Sequence, residues 1–413
     1  MIEVVREFSI EEVQQIEVRL AQGDVQVGAG AVSAVSVRAR IHDVSDEALE
    51  ITLQSGRLFV GHRGMGESGN GFRPYPAIDI ELIVPAAADP LMSVNTGKGD
   101  VRLDGIRRIA VVKTGKGDVG VSGAVGSLQI DSGAGDVALK GCGGDLGVHT
   151  GAGDISVSGC QASVTANTGK GDIRIDGVVG KLDIHTGSGD VSASHWHGSE
   201  NGALSAGSIH TGSGDISVSN AAAGSLQMRT GRGDCALDQV RLDRLEVNSG
   251  SGDLSLSGDP GTGRWQAKTG KGDIVLKLPG AASARVEAAT RHGDIRSDLP
   301  QVKVGRPGPA SQHGGRTILV LGDEPRAEIM LESGKGDILI RATGFAPVAV
   351  GQPVAVAEVV VPRTSEVSEL APSQPAPVTR TVPSRDVTMG VLESLSRGEI
   401  SVDEAEMLLK ALA

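Results

Sequence analysis

The chain has 413 residues, a formal net charge of −12 and only 2% aromatic residues. This composition argues against a nucleic-acid-binding protein, which needs basic grooves and aromatic stacking platforms, and against electrostatic docking on anionic lipid. The N-terminus lacks the basic and apolar segments of a signal peptide, and no apolar run reaches the ~18 residues of a membrane span. With only three cysteines, these features predict a cytoplasmic protein.

Residues 1–91 contain short alternating runs, such as Ile16-Glu-Val-Arg-Leu20, that predict irregular β-coils. We expect this segment to cap the end of the repeats that follow, because an uncovered strand edge invites aggregation. Within it, residues 61–77 are rich in glycine and proline and include Phe72 and Tyr75. They predict a protruding loop with two aromatic side chains available for ligand contact.

Residues 92–343 are dominated by a repeated phrase, Thr/Ser-Gly-x-Gly-Asp, that recurs every 18 residues at first and then less regularly. The strictly spaced aspartates are Asp100, Asp118, Asp136, Asp154, Asp172 and Asp190. Apolar residues alternate with polar ones before and after each phrase, which predicts two half-buried strands per repeat joined by a glycine turn with positive φ.

One repeat cannot bury its apolar face alone, whereas a stack of repeats can. We therefore predict an all-β fold, a single-chain β-solenoid of about 18-residue coils, some 13 in number and about 60 Å long at the normal strand spacing. A meander of hairpins is the alternative architecture. A propeller is disfavoured because its blades need about 40 residues each.

Beyond Asp190 the period lengthens by about seven residues near His195, Trp196 and His197, and residues 195–207 predict a second contact loop. Residues 344–385 are rich in proline and alanine and predict a linker. Residues 386–413 change to a helical period and predict an α-helical hairpin that binds a partner protein or self-associates. Its predicted contact residues are Val391, Leu392, Leu395, Leu408, Leu409 and Leu412.

The sequence gives only weak signals for a metal-binding, disulfide or catalytic site. Stacked aspartates suit either calcium binding or turns in which the carboxylate accepts backbone N–H bonds, and the position of Asp directly after glycine favours the turns. Cys142 and Cys160 lie 18 residues apart in an apolar column, within reach of a disulfide but typical of core thiols. The histidines suggest no complete metal site. We predict no catalytic, cofactor-binding or metal-binding residues and no enzymatic activity.

The phrase Thr/Ser-Gly-x-Gly-Asp-Val/Ile, preceded by Ile80-Glu-Leu-Ile-Val-Pro85, resembles the bacterial adhesin-like family of β-strand-repeat domains of unknown function over residues 15–343. Residues 391–410 are similar to the short helical hairpins (SHOCT-like) attached to such domains in envelope-stress proteins. The resemblance implies a β-helix without established catalytic residues. A cytoplasmic, non-enzymatic scaffold is the favoured function, with a surface adhesin-like binding protein or a carbohydrate-active β-helix enzyme as alternatives.

Overall fold

The computed structural model describes residues 2–42, 48–63, 75–88, 90–108, 110–200, 203–299, 302–303, 315–322 and 324–343. The chain divides into two units, Met1–Val356 and Ala357–Ala413, and every described residue belongs to the first. The predicted linker and helical hairpin lie outside the described residues.

The described residues form 34 β-strands and one short 3-10 helix. The first part contains β1 (Ile2–Ser9), the 3-10 helix (Ile10–Glu12), β2 (Gln15–Leu20), β3 (Val25–Gly30), β4 (Ala34–Ile41), β5 (Leu49–Gln54), β6 (Arg57–His62) and β7 (Ile78–Pro85). The middle contains β8 (Leu91–Lys98), β9 (Val101–Asp104), β10 (Ala110–Lys116), β11 (Val119–Ser122), β12 (Val125–Ala134), β13 (Val137–Lys140), β14 (Gly143–Ala152), β15 (Ile155–Ser158), β16 (Gln161–Lys170), β17 (Ile173–Asp176), β18 (Leu182–Ser188), β19 (Val191–Ser194), β20 (His197–Glu200), β21 (Ala203–Leu204), β22 (Ala206–Ser213), β23 (Ile216–Ser219) and β24 (Ala222–Arg232). The last part contains β25 (Cys235–Ser249), β26 (Leu254–Asp259), β27 (Arg264–Thr269), β28 (Ile274–Pro279), β29 (Ala284–Thr290), β30 (Ile295–Ser297), β31 (Val302–Lys303), β32 (Gly315–Leu321), β33 (Ala327–Ser333) and β34 (Ile338–Thr343).

Successive repeats stack as parallel coils. The strand before each phrase pairs with its counterpart one repeat later, as β12 does with β14, and these strands form the first sheet. The strand after each phrase does the same in a second sheet, as β13 does with β15. A meander would pair consecutive strands antiparallel, so the parallel register confirms the β-solenoid.

The core lies between the sheets because side chains alternate in and out along each strand. In the coil at 125–140, Leu128, Ile130, Val137 and Leu139 are buried, while Gln129 points outward. Equivalent residues of every coil extend one continuous apolar core. A core of aliphatic side chains needs few aromatics, which agrees with the aromatic content of 2%.

The glycine turn is required by stacking as well as by backbone conformation. The second glycine of the phrase at 150–154, Gly153, has φ +152°, and a Cβ there would lie 2.1 Å from the Gly135 carbonyl oxygen of the previous coil. A Cβ on the first glycine, Gly151, would lie 2.6 Å from the Gly133 oxygen. The predicted positive φ is confirmed, and close backbone contact between coils adds a second reason for glycine.

The threonine of the phrase stabilises the same turn. The Thr150 hydroxyl donates to the Gly135 carbonyl oxygen at 3.2 Å, and the Thr168 hydroxyl donates to the Gly153 oxygen at 3.1 Å. Both threonines are buried, so each hydroxyl meets its need for a partner by linking its own coil to the previous one.

The two ends of the stack depart from chain order. The coil of β2 and β3 lies between the coil of β6 and β7 and the coil of β8 and β9. At the other end, the coil of β33 and β34 lies between that of β27 and β28 and that of β29 and β30. The first and last coils of the sequence are therefore each inserted one position inside the stack.

Antiparallel strands cover the outermost coils. Strand β4 pairs with β7 and β1, and β5 pairs with β6. Strand β32 pairs antiparallel with β29 at the opposite end. These strands occupy edges that another parallel coil would otherwise use.

Candidate functional site

The repeated aspartates form a hydrogen-bonded ladder along the stack. Each Oδ1 accepts the backbone N–H of the aspartate in the next coil, at 2.7–3.0 Å. In spatial order the ladder comprises Asp79, Asp24, Asp100, Asp118, Asp136, Asp154, Asp172, Asp190, Asp215, Asp234, Asp253, Asp273, Asp337 and Asp294.

The ladder explains why an acidic residue recurs at this corner. A charged acceptor strengthens the hydrogen bond, and the bond crosses between coils instead of closing a local turn as the sequence suggested. Arg174 bridges Asp154 and Asp172, and His42 contacts Asp79 at the first end. Within the described residues, no three His, Cys, Asp or Glu side chains are grouped to hold a metal ion.

The insertion after Asp190 is a small β-hairpin instead of an irregular loop. Strands β20 and β21 pair antiparallel, and β20 also pairs with β24. His195 lies just before the hairpin with φ +51° and is exposed, and its Nδ1 lies 2.9 Å from Asp176 Oδ1. His197, in β20, is half-buried.

The polar group beside this hairpin does not form a catalytic triad. The Ser194 hydroxyl donates to Asp176 Oδ1 at 2.7 Å, and His195 contacts the same oxygen. These contacts, Ser194 first and then His195, lower the pKa of the Asp176 carboxyl. A triad needs the histidine between the hydroxyl and the carboxylate, whereas here both bind the carboxylate directly.

Trp196 corrects the expectation of a loop contact residue. Its side chain is fully buried, and its indole N–H donates to the Gly180 carbonyl oxygen at 2.8 Å. Gly207 occupies a column that holds Leu182 and Leu226 in the adjacent coils, and a Cβ on Gly207 would lie 2.5 Å from the indole. The indole therefore fills the volume that a leucine takes elsewhere.

Tyr75, the described aromatic residue of the other predicted loop, lies far from the β20–β21 hairpin. Tyr75 is 39% exposed, and its ring packs edge-on against His62 with centroids 5.1 Å apart. Phe72 lies outside the described residues. So do the predicted contact residues of the C-terminal α-helical hairpin, Val391, Leu392, Leu395, Leu408, Leu409 and Leu412. Tyr75 adjoins the first coil and His195 the eighth, a separation of about 34 Å at the normal strand spacing, so these two residues do not share one site.

The first sheet carries a polar groove that the sequence reasoning missed. It measures about 300 Å³ and is lined by Ser127, Leu128, Gln129, Asp145, Leu146, Gly147, Val148, His149, Ser163, Thr165 and Asn167. Gly147 lines it where neighbouring coils carry Gln129 and Thr165, and the Gln129 side chain leans over it, with Oε1 2.5 Å from where a Cβ on Gly147 would lie. A lone glycine in an outward column was the available signal.

Further along the same sheet, two histidines stack across coils. The rings of His185 and His210 lie 4.9 Å apart, and His185 Nε2 lies 3.0 Å from Asp183 Oδ1. Burial, followed by the proximity of His185, lowers the pKa of His210. The pair is a polar contact on the outer face of the first sheet.

No helix within the described residues combines the length and apolar character needed to cross a bilayer. The family model described as Toastrack DUF4097 matches residues 13–202 and 197–341, and its two matches meet at the β20–β21 hairpin. No curated protein matches the chain.

Several solved structures are similar at low identity. A candidate cell adhesion protein from Clostridium sporogenes is 9% identical, covering 83% of this chain and 99% of its own, with a TM-score of 0.18. A candidate adhesin from Bacteroides fragilis is 11% identical over 83% and 97%, with a TM-score of 0.21. A candidate lipid-binding protein from Parabacteroides distasonis is 12% identical over 81% and 96%, with a TM-score of 0.22.

At these TM-scores the solved structures say nothing about function. The family of this chain is shown by the match to the family model. That model spans most of the coils described above, including both irregular ends. The protein therefore belongs to the Toastrack DUF4097 family.

Proposed function

We propose that the protein is a non-enzymatic binding scaffold: its coils present a rigid outer surface, and residues 386–413 recruit a partner protein or a second copy. The proposal includes the cytoplasm as the compartment, which is supported by three cysteines that are all free thiols. The observation that carries the proposal is the in-register stack, because it fixes outward side chains in straight columns.

Rigidity follows from how each coil is held. The aspartate ladder, the threonine hydroxyls and the strand ladders each link one coil to the next, so every such coil is held by hydrogen bonds from its neighbours. Outward columns such as Gln129, Gly147 and Thr165 then repeat at the strand spacing of about 4.8 Å. A surface fixed in this way binds without a large ordering cost.

The groove at Gly147 is the contact surface that we assign to the scaffold. Its lining combines two amides, three hydroxyls, a carboxylate and an imidazole, which suits a polar partner segment. Gly147→Gln adds the side chain that Gln129 provides one coil earlier. Because a Cβ at 147 would lie 2.5 Å from Gln129 Oε1, the Gln129 side chain has to turn aside as the groove fills. Gly120→Gln, on the second sheet where a Cβ meets open space, is the matched control.

The test is affinity capture from lysate with the full chain, a chain ending at residue 385, the Gly147→Gln variant and the Gly120→Gln variant. Light scattering gives the oligomeric state of each. We expect loss of 386–413 to remove a captured protein or to lower the oligomeric state, and Gly147→Gln to remove a contact that Gly120→Gln retains. If the chain ending at 385 keeps every partner and the same oligomeric state as the full chain, the scaffold function is wrong.

An adhesin-like surface function is the second candidate, favoured by the inserted β20–β21 hairpin with exposed His195 beside it. Labelling intact cells with an impermeant reagent distinguishes the two functions. Protein found in the soluble fraction and unlabelled on intact cells eliminates the adhesin, while labelling eliminates the cytoplasmic scaffold.

A further inference from the structure

Cys142 and Cys160 occupy the same position in two successive coils. Each follows a corner glycine, Gly141 or Gly159, and each side chain is at most 2% exposed. The same column holds Ala124 in the preceding coil, and all these side chains belong to the core. The predicted core location of the thiols is confirmed, and nothing described above uses them.

The backbone brings the two sulfurs together. The Cys142 N–H donates to Cys160 Sγ at 3.2 Å, and the Gln161 N–H donates to the Cys142 carbonyl oxygen at 3.0 Å. The adjoining residues Gly143 and Gln161 are paired in register. In-register neighbours lie about 4.8 Å apart between strands, within the 4.4–6.8 Å range of Cα separations in disulfides (about 5.5 Å being usual).

The surroundings make one thiol of the pair reactive. A hydrogen bond between the two side chains lowers the pKa of Cys142 to about 7, and the same contact followed by burial raises the pKa of Cys160. Cys235, which has no neighbouring thiol, has its pKa raised to about 12, first by burial. A thiolate is the reactive form of cysteine, so the pair and the single thiol differ in chemistry.

The corner beside the pair is open on its outer side, because a Cβ added to Gly141 or Gly159 would meet no atom within 4 Å. The thiols themselves are at most 2% exposed, so a small oxidant has to penetrate the packed coil to reach them. Cys235, by contrast, lies inside the second sheet between Ile216 and Leu254.

We propose that Cys142 and Cys160 are a redox-active pair that a hydroperoxide oxidises to a disulfide between adjacent coils. The Cys142 thiolate attacks the peroxide O–O bond, which gives a sulfenic acid and releases an alcohol, or water when the oxidant is hydrogen peroxide. The Cys160 sulfur then displaces the sulfenic oxygen, and that oxygen leaves as water with the Cys160 proton. Two thiols lose two electrons, which the peroxide gains.

The disulfide joins two coils in the middle of the stack covalently. It would close a loop of one repeat and restrict the unfolded chain, so the oxidised protein should resist unfolding better than the reduced protein. A thiol reductant reverses the reaction, which makes the link conditional on the redox state of the compartment.

The test treats the folded, full-length protein with hydrogen peroxide, alkylates it under denaturing conditions and measures intact mass and peptides. We expect a loss of two hydrogen atoms, one remaining alkylated thiol at Cys235, and a cross-linked peptide pair containing Cys142 and Cys160. Cys142→Ala copies the residue at 124, and Cys160→Val copies the residue at 178. Each of these variants should lose the cross-link, whereas Cys235→Ala should retain it.

Three outcomes overturn the proposal: three alkylated thiols after treatment, over-oxidation to sulfinic acid without a cross-link, or cross-links to Cys235 as frequent as those between 142 and 160. Oxidation of urea-unfolded protein provides the random-pairing reference for the last comparison. Circular dichroism of each variant before treatment establishes that the fold is intact.

Discussion

In the middle of the stack the coils follow the order of the sequence, whereas at its two ends they do not. Between β8 and β26, coils that follow each other in sequence also follow each other in space. At each end, the terminal coil of the sequence is inserted between two others, and antiparallel strands cover the outermost coil.

This difference shows how a stack of repeated coils is brought to an end. A stack of identical coils has no internal reason to stop, because its last coil presents the same open edge as every other. Because the coil of β33 and β34 is inserted inside the stack, β29 takes the outermost position. The covering strand β32 follows β29 in the sequence and pairs with it antiparallel. The ends thus depend on contacts between distant residues, and the middle depends on neighbours.

The largest expected effect comes from removing the inserted coil. A chain ending at residue 326 lacks β33, which is the parallel partner of both β27 and β29. We expect residues 284–322 to become sensitive to protease while the coils up to Pro279 stay protected. A chain ending at residue 343 is the control and should show no such change.

Limited proteolysis followed by mass spectrometry of the core fragment measures this effect. If residues 284–322 remain protected in the chain ending at 326, β29 has stacked directly on β27. The inserted coil would then be dispensable and the ends would follow the rule of the middle.

The next effect concerns the glycines of the middle. Gly153→Ala forces a Cβ to within 2.1 Å of the Gly135 oxygen at φ +152°, and we expect a loss of about 4 kcal/mol in the free energy of unfolding from strain and overpacking. Gly141→Ala has φ +61° but open space around its Cβ, so only the conformational cost of about 1 kcal/mol applies.

Urea unfolding of both variants gives the comparison. Equal losses would mean that backbone conformation, and not contact between coils, accounts for the glycine at 153. The smaller cost expected for Gly141→Ala agrees with later coils, where His195, Asn220 and Gln239 occupy the equivalent corner position with φ of 51–52°.

A smaller effect is expected in the aspartate ladder. Asp136→Ala removes the acceptor for the Asp154 N–H and should cost about 1 kcal/mol, the usual net value of one hydrogen bond. Asp136→Asn keeps the Oδ1 acceptor and should change stability by less than about 0.5 kcal/mol. If both variants lose the same amount, the negative charge matters and the hydrogen bond does not.

The smallest effect is a pH dependence confined to one end. His62 is 1% exposed, its Nδ1 accepts the Ala21 N–H at 3.1 Å, and its Nε2 contacts the Pro76 oxygen at 2.8 Å. This arrangement fits the neutral ring, and burial is the main cause that lowers the pKa of His62 below its usual 6.5.

The sign follows from proton binding. Below pH 6.5 the unfolded chain binds a proton that the folded chain refuses, so stability is complete above pH 6.5 and falls as the pH drops toward the folded-state pKa. His62→Thr places at this site the residue that Thr96 provides in the same column two coils along, and should flatten the dependence. Denaturant midpoints between pH 5 and 7.5 measure it, and an unchanged slope in the variant would assign the effect to another group.

Much of the middle was predictable because repetition averages out local ambiguity. Any one coil is a short apolar run that fits several folds, but six copies at one spacing specify two strands, each with two inward columns, and a turn. Trp196 shows the limit. Its position in a lengthened repeat indicated a loop, yet its burial depends on Gly207 in the next coil, eleven residues away and across the stack.

The sequence by itself determined the β-solenoid, its parallel coils and the structural role of glycine, because these follow from local alternation and φ preferences repeated at a constant spacing. Only the tertiary structure decided which coil stacks on which at the ends, where the aspartate oxygens bind, and that Gly147 lines a groove. These features depend on pairs of residues that are distant in the chain and adjacent across coils. No local pattern encodes such a pairing, so it emerges only when the strands are in register.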